Sequence, residues 1–167
     1  MILDVSQLIQ NDGAVKELDF NLKMDDTSFN GQDIVFETPF NLKGVIKNIA
    51  GVLYLELDAD VSFKTECARC LDSVSVHHPF AVNEVFSKTL TPDLEEDDVT
   101  VLESGNIDLC EVVDKAFVGS LPISFLCKDD CEGLCPQCGI NLNYESCSCA
   151  DDNTDPRLAA LKQFLKD

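Results

Sequence analysis

No stretch of this chain approaches the roughly 18 uncharged apolar residues that a membrane-spanning helix needs, so a helical span is not expected. Basic residues are scarce. Twelve lysines and arginines face 31 aspartates and glutamates, and only Arg69 and Arg157 are arginines. The net charge of −19 repels phosphate backbones over most of the surface and attracts positively charged partners. The N-terminal run Met1-Ile2-Leu3-Asp4-Val5 carries an acid where a secretory signal has a basic region followed by an apolar run, so a cytoplasmic location is expected. No G-x-S-x-G, P-loop or H-E-x-x-H is found, which leaves a hydrolase with little support. There is no internal repeat of 20 to 50 residues. Nine cysteines in 167 residues, about 5%, fall short of the ~8 to 10% of a disulfide scaffold.

What is present is ordinary in bulk, with 45% apolar and 26% charged residues, so wholesale disorder is excluded. The length predicts one domain with a small appendage. The clearest pattern runs from Leu53 through Leu55, Leu57, Ala59, Val61 and Phe63, with polar residues or Tyr54 between them. Strict period two means a long strand with one buried face. Phe40, Leu42 and Ile46 supply a partner strand ended by Asn48 to Gly51, and Val74, Val76, His78, Phe80, Val82 and Phe86 supply another. Leu18, Phe20 and Leu22 mark a further half-buried strand, Asn30-Gly31 a turn, and Val99 to Glu103 an edge strand after the acidic loop Pro92 to Asp98.

Leu109, Val112, Val113, Ala116 and Phe117 then recur at helical spacing behind Asn106 or Asp108, with Gly119 and Pro122 at the end. A terminal helix is expected from Asp155-Pro156 through Leu158, Leu161 and Leu165. The predicted fold is α+β: a mostly antiparallel, strongly twisted or barrel-like sheet with one packed helix, a zinc-bound C-terminal segment and the terminal helix. Residues 1–122 form the β domain with its helix, and 123–167 the cysteine-rich segment with the terminal helix.

The cysteines point to metal, because a reducing compartment disfavours disulfides. Cys67-Ala68-Arg69-Cys70 is a C-x2-C pair between two predicted strands. Cys135-Pro136-Gln137-Cys138-Gly139 is a second, with Pro136 stiffening the turn and Gly139 suited to positive φ. Two such pairs are a common source of the four tetrahedral donors of zinc. Energetics require it. From Cys127 to Ala150 only Leu134, Ile140, Leu142 and Tyr144 are large apolar residues besides cysteine. Their burial contributes on the order of 1.5 to 3 kcal/mol each, against roughly 1 to 2 kcal/mol to order each backbone unit. A structural zinc contributes on the order of 10 to 16 kcal/mol.

The favoured local set is Cys135, Cys138, Cys147 and Cys149. Cys67 and Cys70 could join Cys127 and Cys131 in a second centre, so one or two structural zinc ions are expected. Cys110 lies on the helix side of Val113 and Phe117 and reads as a buried free thiol. Neither C-x2-C pair follows a strand and opens a helix as a thioredoxin-like motif does, and no H-x-E accompanies Cys-Pro-Gln-Cys as in a nucleobase deaminase. Four-thiolate sites leave no open coordination position, so zinc catalysis is not expected.

Several separated segments occur together in order: Thr65-Glu66-Cys67-Ala68-Arg69-Cys70-Leu71, Ser120-Leu121-Pro122, the run from Cys131 to Asn143, Cys147-Ser148-Cys149, and Asp155 to Lys162. Together they resemble the YceD family, the large ribosomal RNA subunit accumulation proteins, in its cysteine-rich Gram-positive form. The resemblance implies a non-enzymatic role in synthesis, processing or stability of large-subunit (23S) ribosomal RNA, with no family active site to carry over. It covers the motif cysteines but neither Cys110 nor His77 and His78.

With a charge of −19, made more negative by each four-thiolate zinc, direct RNA readout is not the first expectation. An acidic adaptor for a basic ribosomal protein or a pre-50S particle is. Arg69 and Arg157 are the candidate exceptions, able to grip a partner's phosphate or carboxylate or to form an internal salt bridge. No membrane or small-molecule substrate is expected. The alternative is a zinc/thiol redox sensor, distinguished by zinc release under mild oxidant.

Overall fold

The computed structural model describes residues 1–88, 99–102 and 105–149. The acidic run Pro92 to Asp98, Glu103, the expected terminal helix and Arg157 lie outside the described residues. In chain order the elements are β1 (Ile2–Asp4), α1 (Ser6–Gln10), β2 (Val15–Leu22), β3 (Thr27–Phe29), β4 (Gln32–Phe36), β5 (Phe40–Ile49), β6 (Val52–Glu66), β7 (Ser73–Ser87), β8 (Thr100–Val101), β9 (Asn106–Asp108) and α2 (Leu109–Ser120).

β6 is the axis of the fold. Its odd-numbered residues from Leu53 to Thr65 are buried, while the even ones are exposed or half-buried, as its alternation requires. One edge pairs along its whole length with β7, from Val52 opposite Ser87 to Glu66 opposite Ser73. The other edge is divided: β5 takes the first part, from Val52 to Asp60, and β4 takes Phe63 and Lys64. β2 then pairs with β5, and β3 with β4. β8 adds to β7 in the only parallel pairing among the described strands. The sheet is therefore mostly antiparallel, and the expected barrel-like closure is corrected. Among the described residues no pairing joins β8 to β2 or β3, so the sheet stays open.

Its inner face is covered in part by α2. Asp108 caps this helix by accepting from the Cys110 backbone N–H at 3.0 Å, and Leu109, Val112, Val113 and Phe117 are buried in the same core as the inward residues of β5 and β6. The Phe117 ring lies 5.5, 5.4 and 5.7 Å from those of Phe36, Phe40 and Phe63 in edge-to-face contacts. Phe63 also meets Phe125 at 5.5 Å. The chain leaving α2 thus re-enters the core just before the cysteine-rich segment.

Two local features fix the register. Asn30 and Gly31 adopt φ of 51° and 79°, the paired positive values of a two-residue type I′ hairpin loop, between the facing residues Phe29 and Gln32. At Gly44, opposite Leu57, β5 approaches β6 so closely that a Cβ would overlap the Glu56 carbonyl oxygen and lie 2.8 Å from the Leu57 Cα. Backbone cannot yield as a side chain can. Gly44→Ala is expected to cost about 3 kcal/mol, the upper end of overpacking; urea unfolding checks it, and a midpoint equal to the parent's contradicts the close approach.

The two histidines part company. His77 is exposed, whereas His78 is half-buried, stacks on Phe80 at 5.8 Å, and has Nε2 2.8 Å from Ser120 Oγ. Burial, with His77 adding to it, holds the His78 imidazole below its usual range. Ser120 Oγ donates to the Phe117 carbonyl oxygen at 2.7 Å, so it accepts from His78. The pair ties β7 to the end of α2 instead of making a base and nucleophile.

Candidate metal centres

Eight of the nine cysteines gather into two sets of four, each with its Sγ atoms within 4.8 Å of one another: Cys67, Cys70, Cys127 and Cys131; and Cys135, Cys138, Cys147 and Cys149. Cys110 is half-buried and belongs to neither.

The first set joins distant parts of the chain. Cys67 and Cys70 occupy the turn between β6 and β7, closed by Leu71 N–H on the Cys67 carbonyl at 3.0 Å and Cys67 N–H on the Asp72 carbonyl at 2.8 Å. Cys127 and Cys131 come from the segment after α2. Sγ of Cys67 stands 3.8 Å from that of Cys131, 64 residues away, and Sγ of Cys70 stands 3.6 Å from that of Cys127. A disulfide needs ~2.05 Å. Four sulfurs ~2.3 Å from a tetrahedral zinc are separated by about 3.8 Å, which these spacings match. Cys67, Cys70 and Cys131 are buried and packed with Val74, Leu126 and Leu134.

Backbone contacts lock the two halves together. Ala68 N–H donates to the Phe125 carbonyl at 2.8 Å, and Leu134 N–H to the Arg69 carbonyl at 3.1 Å. Arg69 Nη1 donates to the Cys131 carbonyl at 2.9 Å, so the guanidinium braces the cluster from within the chain. Gly133, at φ 76°, passes so near that a Cβ would lie 3.1 Å from the Arg69 carbonyl oxygen. Only glycine combines that conformation with that clearance.

The second set is local. Cys135 and Cys138 sit in a tight turn, with Gly139 N–H on the Cys135 carbonyl at 2.9 Å and Cys135 N–H on the Ile140 carbonyl at 2.8 Å. Gly139 has φ 74°. Cys138 is exposed and Cys147 and Cys149 half-buried. This cluster borders an open cleft of about 690 Å³ lined in part by Glu132, Pro136, Tyr144 and Glu145, so solvent reaches it more freely than the first.

Each set contains at least one thiol held below its usual range and others pushed above it. Burial pushes the Cys67 thiol up, but backbone N–H groups of Arg69, Cys70 and Cys127 together outweigh it and bring it to about 6. Burial likewise raises Cys131, and the Asn143 amide and Gly133 N–H bring it below its usual range. In the second set the N–H groups of Cys138 and Gln137 hold Cys135 at about 6. Burial raises Cys70 and Cys127, while hydrogen bonding with Cys138 raises Cys149 to about 12. Such split sets lose their remaining protons to an incoming cation. Four soft sulfur donors suit zinc. When bound there, zinc would supply folding energy inside a closed shell.

Sequence spacing does not reveal the polar contacts between the first cluster and the loop that joins Cys138 to Cys147. Asp72, just after the first turn, accepts from Cys70 Sγ at 3.3 Å, Asn141 Nδ2 at 3.1 Å and the Tyr144 hydroxyl at 3.1 Å. Asn143 Nδ2 donates to Cys131 Sγ at 3.3 Å and to Asn141 Oδ1 at 2.8 Å. Only the Asn-x-Asn spacing, which favours an Asx turn, hints at it; Asn143 N–H indeed donates to Asn141 Oδ1 at 3.0 Å.

Among known proteins, the chain is 38% identical over 103 residues to Rv2926c of Mycobacterium tuberculosis and to Mb2951c of Mycobacterium bovis, covering 60% of this chain and 49% of theirs. The chain thus spans about half the length of these relatives. YlbN of Bacillus subtilis is 28% identical over 165 residues, 97% of this chain and 95% of its own. No solved structure matches. No helix among the described residues is long and apolar enough to cross a membrane. The family model described as "Large ribosomal RNA subunit accumulation protein YceD" matches residues 55–165, from near the start of β6 through both cysteine clusters, and the chain belongs to that family.

Proposed function

We propose that this chain is a non-enzymatic, cytoplasmic ribosome biogenesis factor, acting in large-subunit ribosomal RNA accumulation as an acidic adaptor for a basic ribosomal protein or pre-ribosomal particle. Family membership carries the ribosomal part of this reading. The charge of −19 favours a basic protein over naked RNA as first contact. Cys67, Cys70, Cys127 and Cys131, and Cys135, Cys138, Cys147 and Cys149, serve as ligands of two structural zinc ions. Each four-thiolate zinc adds two negative charges to a surface that already presents Asp129, Asp130, Glu132 and Glu145. Engagement of Arg69 with the Cys131 carbonyl supports its bracing role over a phosphate contact. Residues 123–167 act as a zinc-bound segment on the β domain.

The test is capture by the zinc-loaded full chain of purified large-subunit ribosomal proteins, beside naked 23S RNA, across a salt series. A complex with basic proteins that weakens at least about 10-fold between 50 and 300 mM salt is expected. Tight binding to naked RNA with no protein complex contradicts the adaptor role.

A further inference from the structure

Polar side chains of the loop between Cys138 and Cys147 reach the first cysteine cluster and its neighbour Asp72. We propose that the loop of the second centre supplies the outer shell of the first, with Asn143 as positioning residue, so that metal at the second centre tightens metal binding at the first. This rests on reading both clusters as metal centres.

Five contacts carry the inference. Asn143 Nδ2 reaches Cys131 Sγ at 3.3 Å, and an amide N–H on a thiolate both fixes its direction and disperses its charge. Asp72 Oδ2 lies 3.3 Å from Cys70 Sγ, a like charge once Cys70 is a thiolate, and Asn141 Nδ2 and the Tyr144 hydroxyl, each donating to it at 3.1 Å, offset that charge. Asn143 Oδ1 accepts from Glu132 N–H at 3.0 Å, which anchors the amide beside Cys131. Asn141, Asn143 and Tyr144 all lie between Cys138 and Cys147.

The start of that loop is tied by Leu142 N–H on the Gly133 carbonyl at 2.9 Å and by a bridge between Leu134 and Asn141, and the rest has little to hold it. Ile140 and Leu142 are half-buried and Tyr144 is 76% exposed, so hydrocarbon burial does not fix the positions of Asn141, Asn143 and Tyr144. Closure of the chain between Cys135–Cys138 and Cys147–Cys149 around one ion completes what those backbone bonds begin. Without it, Cys131 loses its amide donor and Asp72 loses two. With it, the first centre, which staples the β6–β7 turn to the segment after α2, gains a complete outer shell. Coupling of this kind is reciprocal, so metal at the first centre also favours the second.

The full-length chain is loaded with cadmium-113, whose resonances separate the two centres, and the metal is withdrawn with graded chelator. Asn143→Ala is expected to weaken the first centre about 10- to 100-fold, the usual cost of losing an outer-shell partner, and to shift its resonance. Asn143→Asp, nearly isosteric but with a carboxylate facing sulfur, is expected to weaken it further, an ordering that lost packing alone would not produce. Cys147→Ser with Cys149→Ser is expected to lower first-centre affinity at least about 10-fold, and adding Asn143→Ala in that background to cost less than about 2-fold more.

First-centre affinity unchanged by the serine pair, or fully multiplicative effects of the serine pair and Asn143→Ala, would overturn the coupling. If the serine pair disrupts the sheet's own thermal transition, the order parent, Asn143→Ala, Asn143→Asp decides alone, and equal affinities in the three sink the idea. A parent chain that binds no cadmium at either cluster refutes the metal reading itself, a separate failure.

Discussion

Exhaustive removal of metal is expected to unfold residues 127–149 while leaving the sheet folded. Amide exchange of the intact chain should show residues in β5, β6, β7 and α2 protected as before, with the residues from Cys127 onward losing protection by at least about 1,000-fold. Each structural zinc contributes on the order of 10 to 16 kcal/mol, and nothing in the segment replaces it. Leu134 and Leu126 pack against Cys67, Cys70 and Cys131, so even the segment's apolar contacts depend on the cluster. The main core, by contrast, is built from residues of the sheet and α2 together with Val5, Ile107 and Phe125, none of which is a cysteine ligand. Refilling with zinc should restore protection. Equal protection with and without metal would show that the segment folds by other means.

Asn48→Asp is expected to destabilise the sheet by on the order of 3 to 5 kcal/mol, the cost of an uncompensated buried charge. Asn48 is 1% exposed, at the end of β5. Its Nδ2 donates to the carbonyls of Leu8, Ile9 and Asn11 at 2.8, 3.1 and 2.9 Å, and its Oδ1 accepts from Gly51 N–H at 2.9 Å. One side chain thereby closes the end of α1 and fixes the β5–β6 turn. An aspartate places a second oxygen against three carbonyl oxygens and answers by retaining its proton. Its folded-state pKa is therefore raised above the unfolded value of about 3.9, so the native state binds the extra proton and stability falls as pH rises through that window. The variant should be nearer to the parent at pH 4 than at pH 7. Urea unfolding at both pH values checks this, and a uniform loss at the two would place the effect outside the carboxylate.

The strands with strong alternation were legible before any coordinates. Leu53 to Phe63 runs along β6, Phe40 to Ile46 along β5, and Leu18 to Leu22 lies in β2, because one wet and one dry face write themselves into the residue order. Leu109 to Phe117, with Asp108 as cap, marks α2 for the same reason at a different period. What escaped was non-local. β1 and β9 are three-residue strands joined across most of the chain, Ile2 opposite Asp108, and too short to show a period. β3 and β4 read only as the Asn30-Gly31 turn between them. The open form of the sheet lies in the missing pairing of β8 with β2 or β3 among the described residues, which no local pattern encodes, so barrel-like closure was a natural but incorrect expectation. Cysteine spacing indicated two possible sets of four, and the structure brings the same residues together. Asp72 and Asn143 gave little local signal, because their partners lie across the fold or are a sulfur.

The central claim is that eight thiolates hold two closed tetrahedral ions that fold the carboxyl-terminal segment. Native mass spectrometry of the full chain, prepared with zinc and without oxidant, measures it most directly. Two zinc ions per chain are expected, with none of the eight cysteines in a disulfide. A chain carrying no zinc, or one whose mass shows these cysteines joined as disulfides, would contradict it.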